Sequence, residues 1–266
     1  MHDSIAAVLD KAIKYEVPFF QCFLVSTSSR QHIRATDADI EQFMQQRRQR
    51  FQQLFVHGSY WINLADTRRS YHPTLMHEVA LAKKLSFTHM ILHPGSARAS
   101  DKKMHGIDAV VRTLNSVMHA ERDLIFVLEN TAHGDRSVGS DIRDFGLIMQ
   151  KINYPERLQF CIDTAHAFAY GYDITSDYGR ASFINLLVTT IGIDAIALMH
   201  VNDSLATCGS RIDCHAMIDQ GHIKTEVLKK MVLDPRLAHI PLILELPVVT
   251  EQEEFAMLKQ VCAWHQ

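Results

Sequence analysis

Nine residues of the types that bind divalent cations recur along this chain in a pattern that core packing does not require. Six of them close short apolar runs: LFVH ends at His57, MILH at His93, IFVLE at Glu129, FCID at Asp163, IALMH at His200 and LILE at Glu245. The successive gaps are 36, 36, 34, 37 and 45 residues. The other three are His166, in CIDTAHAF, and the Asp213–His215 pair in RIDCHAMI. Imidazole and carboxylate suit zinc and other borderline or hard divalent ions. Gathering carboxylates in one place without a cation is costly, because burial and like charge both oppose ionisation. A lone histidine after a strand is usually a hydrogen-bonded loop residue, and a lone buried glutamate usually pairs with a base. Six run ends that agree point instead to a multinuclear metal centre.

The interval also names the elements that must position these residues. One strand plus its crossover helix needs about 30 residues or more. In a barrel of such units, the C-terminal strand ends all face one rim. Strands are expected near 19–24, 54–57, 89–93, 124–129, 159–163, 195–200 and 242–245. Helices are expected over 4–15, with Ser4 as cap, and over 37–53, with Ile40, Phe43 and Met44 on one side. Further helices are expected over 74–85, 106–121, 140–152, 177–191, 224–232 and 251–264. Strict alternation of strand and helix implies a parallel sheet with helices outside. The fold class is therefore α/β, a TIM-type barrel with seven identifiable strands. The residues before the first strand are taken up by a helix and a turn, so the first strand of an eight-fold barrel is expected to be missing.

The chain has 266 residues, close to the ~250 of one such barrel, and is read as a single domain over 1–266. Apolar residues make up 47%, ordinary for a globular protein. No run of ~18 uncharged apolar residues is present, so no membrane association is expected. Nothing at the start reads as a secretory signal, and Cys22, Cys161, Cys208, Cys214 and Cys262 are scattered without a CxxC pair. A cytoplasmic, reducing location is expected. The net charge of −3 lacks the basic excess usual for nucleic-acid binding. Arginines nevertheless crowd the first quarter (30, 34, 47, 48, 50, 68 and 69), either to meet phosphate or as a solvated helix face. Of the remaining histidines among the 16, His2, His72, His89, His119 and His265 read as surface or loop residues.

Taken in order, the blocks HGSYWINL (57–64), HPGS (93–96), LENTA (128–132), CIDTAHAFAYGYD (161–173), HVNDS (200–204), GSRIDCH (209–215) and LILELP (242–247) resemble the successive signatures of the endonuclease IV family of apurinic/apyrimidinic endonucleases. The CIDTAHAFAYGYD and GSRIDCH blocks are long and specific. The resemblance implies three Zn2+ per chain. His57, His93 and Glu129 would hold one ion. Glu129, Asp163, His200 and Glu245 would hold a second, with Glu129 bridging, and His166, Asp213 and His215 the third. It implies hydrolysis of the phosphodiester 5′ to an abasic site, leaving a 3′-hydroxyl, by in-line attack of an activated water. Glu129 and Glu245 would be the catalytic acids, Glu245 also orienting the nucleophile. The implied partner is double-stranded DNA containing abasic sites, met by a monomeric chain.

Lesion recognition by flipping needs side chains that fill the gap. Tyr60 matches the family's inserted tyrosine, Trp61 stands where leucine is usual, and Arg30 is the counterpart of an inserted arginine. Ordinary rim packing is the competing reading for Tyr60 and Trp61. Three positions depart from the family. Leu205 and Cys214 replace basic residues, and Asp219 replaces a glycine. Two rival functions remain: a metal-dependent sugar isomerase or epimerase on the same kind of barrel, and a truncated family member that binds damaged DNA without cutting.

Overall fold

The computed structural model describes residues 4–25, 31, 33, 35–68, 72–247 and 249–265. Seven strands run parallel in one sheet: β1 (Gln21–Phe23), β2 (Phe55–His57), β3 (His89–Leu92), β4 (Ile125–Glu129), β5 (Leu158–Asp163), β6 (Ile196–His200) and β9 (Leu242–Ile243). They follow chain order, each pairing with the next, so β1 and β9 are the two edges. A separate two-stranded antiparallel ribbon, β7 (Asp203–Ser204) with β8 (His215–Ala216), rises from the loop after β6. The helices are α1 (Ile5–Lys14), α2 (Asp37–Arg50), α3 (Pro73–Lys84), α4 (Lys103–Ala120), α5 (Arg143–Met149), α6 (Thr164–Tyr170), α7 (Asp177–Thr190), α8 (Thr225–Val232) and α9 (Glu251–Cys262). The architecture is a TIM-type barrel with seven strands, as the spacing implies. Among the described residues, no helix is long and apolar enough to cross a membrane.

Alternation along each strand builds two cores. Side chains of period two point to opposite faces of a sheet. Phe55, Ile91, Val127, Cys161 and Leu198 point inward and pack together in the barrel interior. Their neighbours Val56, Met90, Leu92, Phe126, Leu128, Phe160, Ile162 and Met199 point outward into the large core shared with the helices. Strands buried on both faces read as near-continuous apolar runs, which is why they are legible. The helices answer with their own period. On α4, Ile107, Val110, Val111, Leu114, Val117 and Met118 are buried, the i, i+3, i+4 stripe of an amphipathic helix. Capping boxes start α2 (Thr36 with Asp39) and α9 (Thr250 with Glu253), each satisfying orphan N–H groups.

The open edge is bridged from outside. Lys11 pairs with Glu254, and Lys14 Nζ lies 2.6 Å from Glu251, so α1 before the first edge strand meets α9 after the last. Tyr15 stacks at 5.0 Å on Phe255 and donates to the Glu251 carbonyl. The apolar core near the missing strand is thereby covered by a helix pair.

Two elements were not expected from the sequence, and one expectation needs correction. The segment after Asp163 is helical, as α6, because Asp163 itself accepts from the His166 N–H at 2.7 Å and caps it. The β7–β8 ribbon is too short to show any alternation in sequence. His72 and His89 are buried, not surface residues. His72 Nε2 meets Thr113 Oγ1 at 3.1 Å. His89 lies against the Phe55 ring at 4.8 Å with its Nδ1 on Thr88 Oγ1.

Candidate metal centre

Two residues beyond each inward floor residue the strand ends, and the next inward side chain is polar. Phe55 is followed by His57, Ile91 by His93, Val127 by Glu129, Cys161 by Asp163, Leu198 by His200, and Ile243 by Glu245. The register pairs Glu129 with Cys161 and Asp163 with His200. A bulge between β5 and β6, at Phe160/Cys161, adjusts that pairing, a device common beside active sites. The polar ring therefore sits directly on the apolar floor. His93 and Glu245 lie just past their strands, by one and two residues.

The ring is compact. Glu129 Oε2 is 3.0 Å from His57 Nε2 and 3.2 Å from His93 Nε2. Glu129 Oε1 is 3.1 Å from His200 Nδ1, which is also 3.1 Å from Glu245 Oε2 and 3.8 Å from Asp163 Oδ2. Beyond Asp163, His166 Nε2 lies 3.1 Å from Asp213 Oδ2, and His215 Nε2 lies 3.3 Å from Asp213 Oδ1 and 3.7 Å from Asp163 Oδ2. Donor atoms of His57–His93–Glu129, of Glu129–Asp163–His200–Glu245 and of Asp163–His166–His215 fall within 4.8 Å of one another in each group. Tetrahedral zinc with bonds of 2.0–2.1 Å sets its ligand atoms about 3.3 Å apart, a spacing these contacts bracket. All nine residues named from the sequence are thus brought together, and Glu129 and Asp163 each belong to two of these groups.

Hydrogen bonding tests whether the ring suits cations. A ligating histidine donates its second ring N–H to a fixed acceptor. His57 Nδ1 faces the Gly58 carbonyl at 2.7 Å, His166 Nδ1 the Asn130 carbonyl at 2.8 Å, and His215 Nδ1 the Glu245 carbonyl at 3.1 Å. His200 instead presents Nε2 to Gln21 Oε1 at 2.8 Å. The remaining nitrogens all point into the ring. Nε2 of His166 and of His215 are buried with no hydrogen-bond partner, which is expensive unless a cation takes the lone pair. The donor set fits divalent metal. Cys161 also lies beside Glu129 and His200, but burial pushes its thiol up to about 12, so it stays protonated.

Electrostatics agree. Burial opposes ionisation of Glu129, yet His200 and His93, with hydrogen bonds from His166 and His200, hold its carboxyl well below the usual range. Burial likewise opposes Glu245, but His200 brings it down to about 2. In return His166 is raised well above the ordinary imidazole value, with burial outweighed by Asp163, Asp213 and Glu129. The cluster demands positive charge, which either protons or metal ions can supply.

Residues not singled out from the sequence hold the ring in place. Asn130 accepts from Asp163 N at 2.7 Å and donates to its carbonyl. Asn202 donates to Asp163 Oδ2 and accepts from Glu245 N at 2.9 Å. Buried Asp203 accepts from the N–H groups of Ser204, Asp219, Gly221, Ile223 and Lys224. Glu78, fully buried on α3, accepts from both N and Oγ of Ser59. The one available signal was position: Asn130, Asn202 and Asp203 lie one, two and three residues after a ligand.

At the mouth, Tyr60 and Trp61 are 57% and 45% exposed, and the Tyr60 ring lies 5.3 Å from that of His93. Tyr60 packs on the rings of Phe23, His57 and His93 with one side and is open to solvent on the other. Arg30 lies outside the described residues. Arg47 is used structurally, bonding the carbonyls of Ser86 and Phe51. Leu205 and Cys214, where basic residues were expected, are exposed. Asp219, where the resemblance leads one to expect glycine, has φ +75°, a left-handed conformation that favours glycine.

Fold and site together define the class: residues 9–264 match the profile of the xylose isomerase-like TIM barrel family. A probable endonuclease 4 from Halorhodospira halophila is 36% identical over 204 residues, covering 73% of this chain and 68% of the relative. An apurinic-apyrimidinic endonuclease from Caenorhabditis elegans is 30% identical over 210 residues, covering 77% of this chain and 53% of the relative. The crystal structure of endonuclease IV from Thermus thermophilus superposes with a TM-score of 0.82 at 27% identity, covering 99% of this chain and 95% of the other. Within that class, the chain belongs to the endonuclease IV family.

Proposed function

We propose that this chain is a zinc-dependent endonuclease that cuts duplex DNA 5′ to abasic sites and leaves a 3′-hydroxyl. The observation that carries the reading is the ring of nine ligand-type side chains with two orphaned imidazole nitrogens. His57, His93 and Glu129 would hold one Zn2+, Glu129, Asp163, His200 and Glu245 a second, and His166, Asp213 and His215 a third. Bound cations supply an acidified water and neutralise the phosphoryl and leaving oxygens.

The chain's own groups do the rest. Glu129 is fully buried at the centre, so it is suited to bridging. Glu245 keeps 16% of its side chain exposed and stays ionised at neutral pH, so it can orient an attacking water from the solvent side and take its proton. The apolar floor keeps bulk water out from below. The Asp213–His215 segment lies beside Asp163 and His166, where a third ion would stabilise a leaving 3′-oxygen. Tyr60 and Trp61 offer exposed rings to stack in the gap left by a flipped nucleotide.

A nicking assay on abasic and intact duplexes, with and without chelator, tests this reading. Cleavage is expected only of the abasic duplex and only with metal. Glu129→Ala is expected to abolish it with little change in helix and strand content; wild-type rates in that variant would refute the bridging role. A chain that binds abasic duplex yet never nicks it would establish the non-cutting reading instead.

A further inference from the structure

One inward position of β1 breaks the apolar floor. The floor is built from Phe55, Ile91, Val127, Cys161 and Leu198, with Phe19 packed against it. Gln21, in register with Phe55, is the amide among them. Gln21 is half-buried, and drawing an amide out of water is unfavourable unless its polar atoms are paired. Gln21 Nε2 donates to Glu245 Oε1 at 2.6 Å, and Gln21 Oε1 accepts from His200 Nε2 at 2.8 Å.

The polarity of this chain of bonds has only one solution. An ionised carboxylate only accepts, so the amide must turn its NH2 to Glu245. Its oxygen then faces His200, which must carry a proton on Nε2. Nδ1 is then the nitrogen turned between Glu129 and Glu245, 3.1 Å from each, where a bound cation would take it. His57, His166 and His215 have their tautomers set by backbone carbonyls; His200 has its tautomer set by a side chain from another strand. That strand is also special. β1 and β9 are the edges of the sheet, so Glu245, just past β9, has no strand ladder beyond it on that side.

We propose that Gln21 is a positioning residue that fixes the tautomer of His200 and the rotamer of Glu245, and so keeps the Glu129–Asp163–His200–Glu245 site in shape across the open edge. The proposal rests on the metal-centre reading above. Its test is chelator competition on the full chain with zinc, comparing wild type with Gln21→Met, which loses both bonds, and Gln21→Glu, which keeps the acceptor for His200 but sets a carboxylate against Glu245. Both variants are expected to bind one zinc about 10- to 100-fold more weakly, the usual effect of losing an outer partner, while the remaining zinc ions hold as in wild type. Metal-free Gln21→Met should melt close to the metal-free wild type, while metal-free Gln21→Glu melts lower through its repulsion of Glu245. On abasic duplex, kcat should fall while KM stays unchanged, because Gln21 lies below the mouth. Wild-type zinc affinity in Gln21→Met overturns the proposal. So does an equal loss of every zinc together with a lower metal-free melting point, which would mark a merely structural residue. A wild-type chain that takes up no zinc overturns the metal-centre reading, and this proposal with it.

Discussion

Replacing Asp203 by asparagine changes one atom, and the structure says it should unhinge one part of the metal centre. Both carboxylate oxygens of Asp203 accept only from backbone N–H groups. Oδ1 takes Ser204 and Ile223, each at 2.8 Å, and Oδ2 takes Asp219, Gly221 and Lys224 at 3.1, 3.0 and 3.3 Å. An asparagine must turn its NH2 towards one set, so at least two donors lose their acceptor. The side chain is fully buried, and hydrogen bonds to a charged group contribute about 1.5–3 kcal/mol each. The expected cost is about 4 kcal/mol, a large part of the 5–15 kcal/mol typical of a whole fold. The relief lies close by. If residues 217–224 open locally, the unpaired donors reach water without global unfolding. That loop adjoins β8, where Ser204 pairs with His215, so opening it displaces His215 and Asp213. Hydrogen exchange at Gly221 and Ile223 should rise steeply, and zinc content should fall by one ion while the other two are kept. Gly221→Ala should act in the same way, since a Cβ there would come 2.4 Å from Asp203 Oδ1. An Asp203→Asn protein with wild-type protection and full zinc content would refute the reasoning.

Other outcomes follow from the same geometry. Burial lowers His89 from 6.5 to about 4, so the unfolded chain takes up this proton first. The resulting destabilisation is absent above pH 6.5, grows as pH falls and saturates below about 4, reaching about 3 kcal/mol. Denaturant titrations of His89→Leu should lose that part of the acid slope. Removing metal with a chelator should lower the melting temperature, and zinc should restore it, each bound ion adding about 2.7 kcal/mol of stability at a hundredfold excess over its Kd. The raised values of His166 and His200 mean that protons stabilise the metal-free protein below those values. That support is lost as pH rises through them, so the chelated protein should melt earlier at alkaline pH while the zinc-loaded one does not. Glu78→Leu leaves both Ser59 donors unpaired and should loosen the turn carrying Tyr60 and Trp61. If those rings meet DNA, KM for abasic duplex should rise about tenfold with kcat little changed.

The strand ends and their ligands were readable in the sequence because buried parallel strands are short apolar runs, and the residue that ends each run is set by period two. Phe55 to His57 and Val127 to Glu129 are local facts about four or five consecutive residues. The seven parallel strands found among the described residues also followed from counting. The roles of Asn130, Asn202, Asp203 and Glu78 did not, because the partners that matter lie 16 to 43 positions away and a polar side chain carries no mark of its partner. His89 misled for a related reason: whether an imidazole at the start of a strand faces water or Phe55 depends on the neighbouring strand. Sequence alone therefore determined which side chains stand at the rim and which chemistry they can do. Only the tertiary structure decided which atom of each faces inward, how Gln21 spans the edge between β1 and β9, and which buried carboxylates hold loops instead of cations. Those outcomes depend on hydrogen-bond directions between strands, which exist only once the barrel has closed around them.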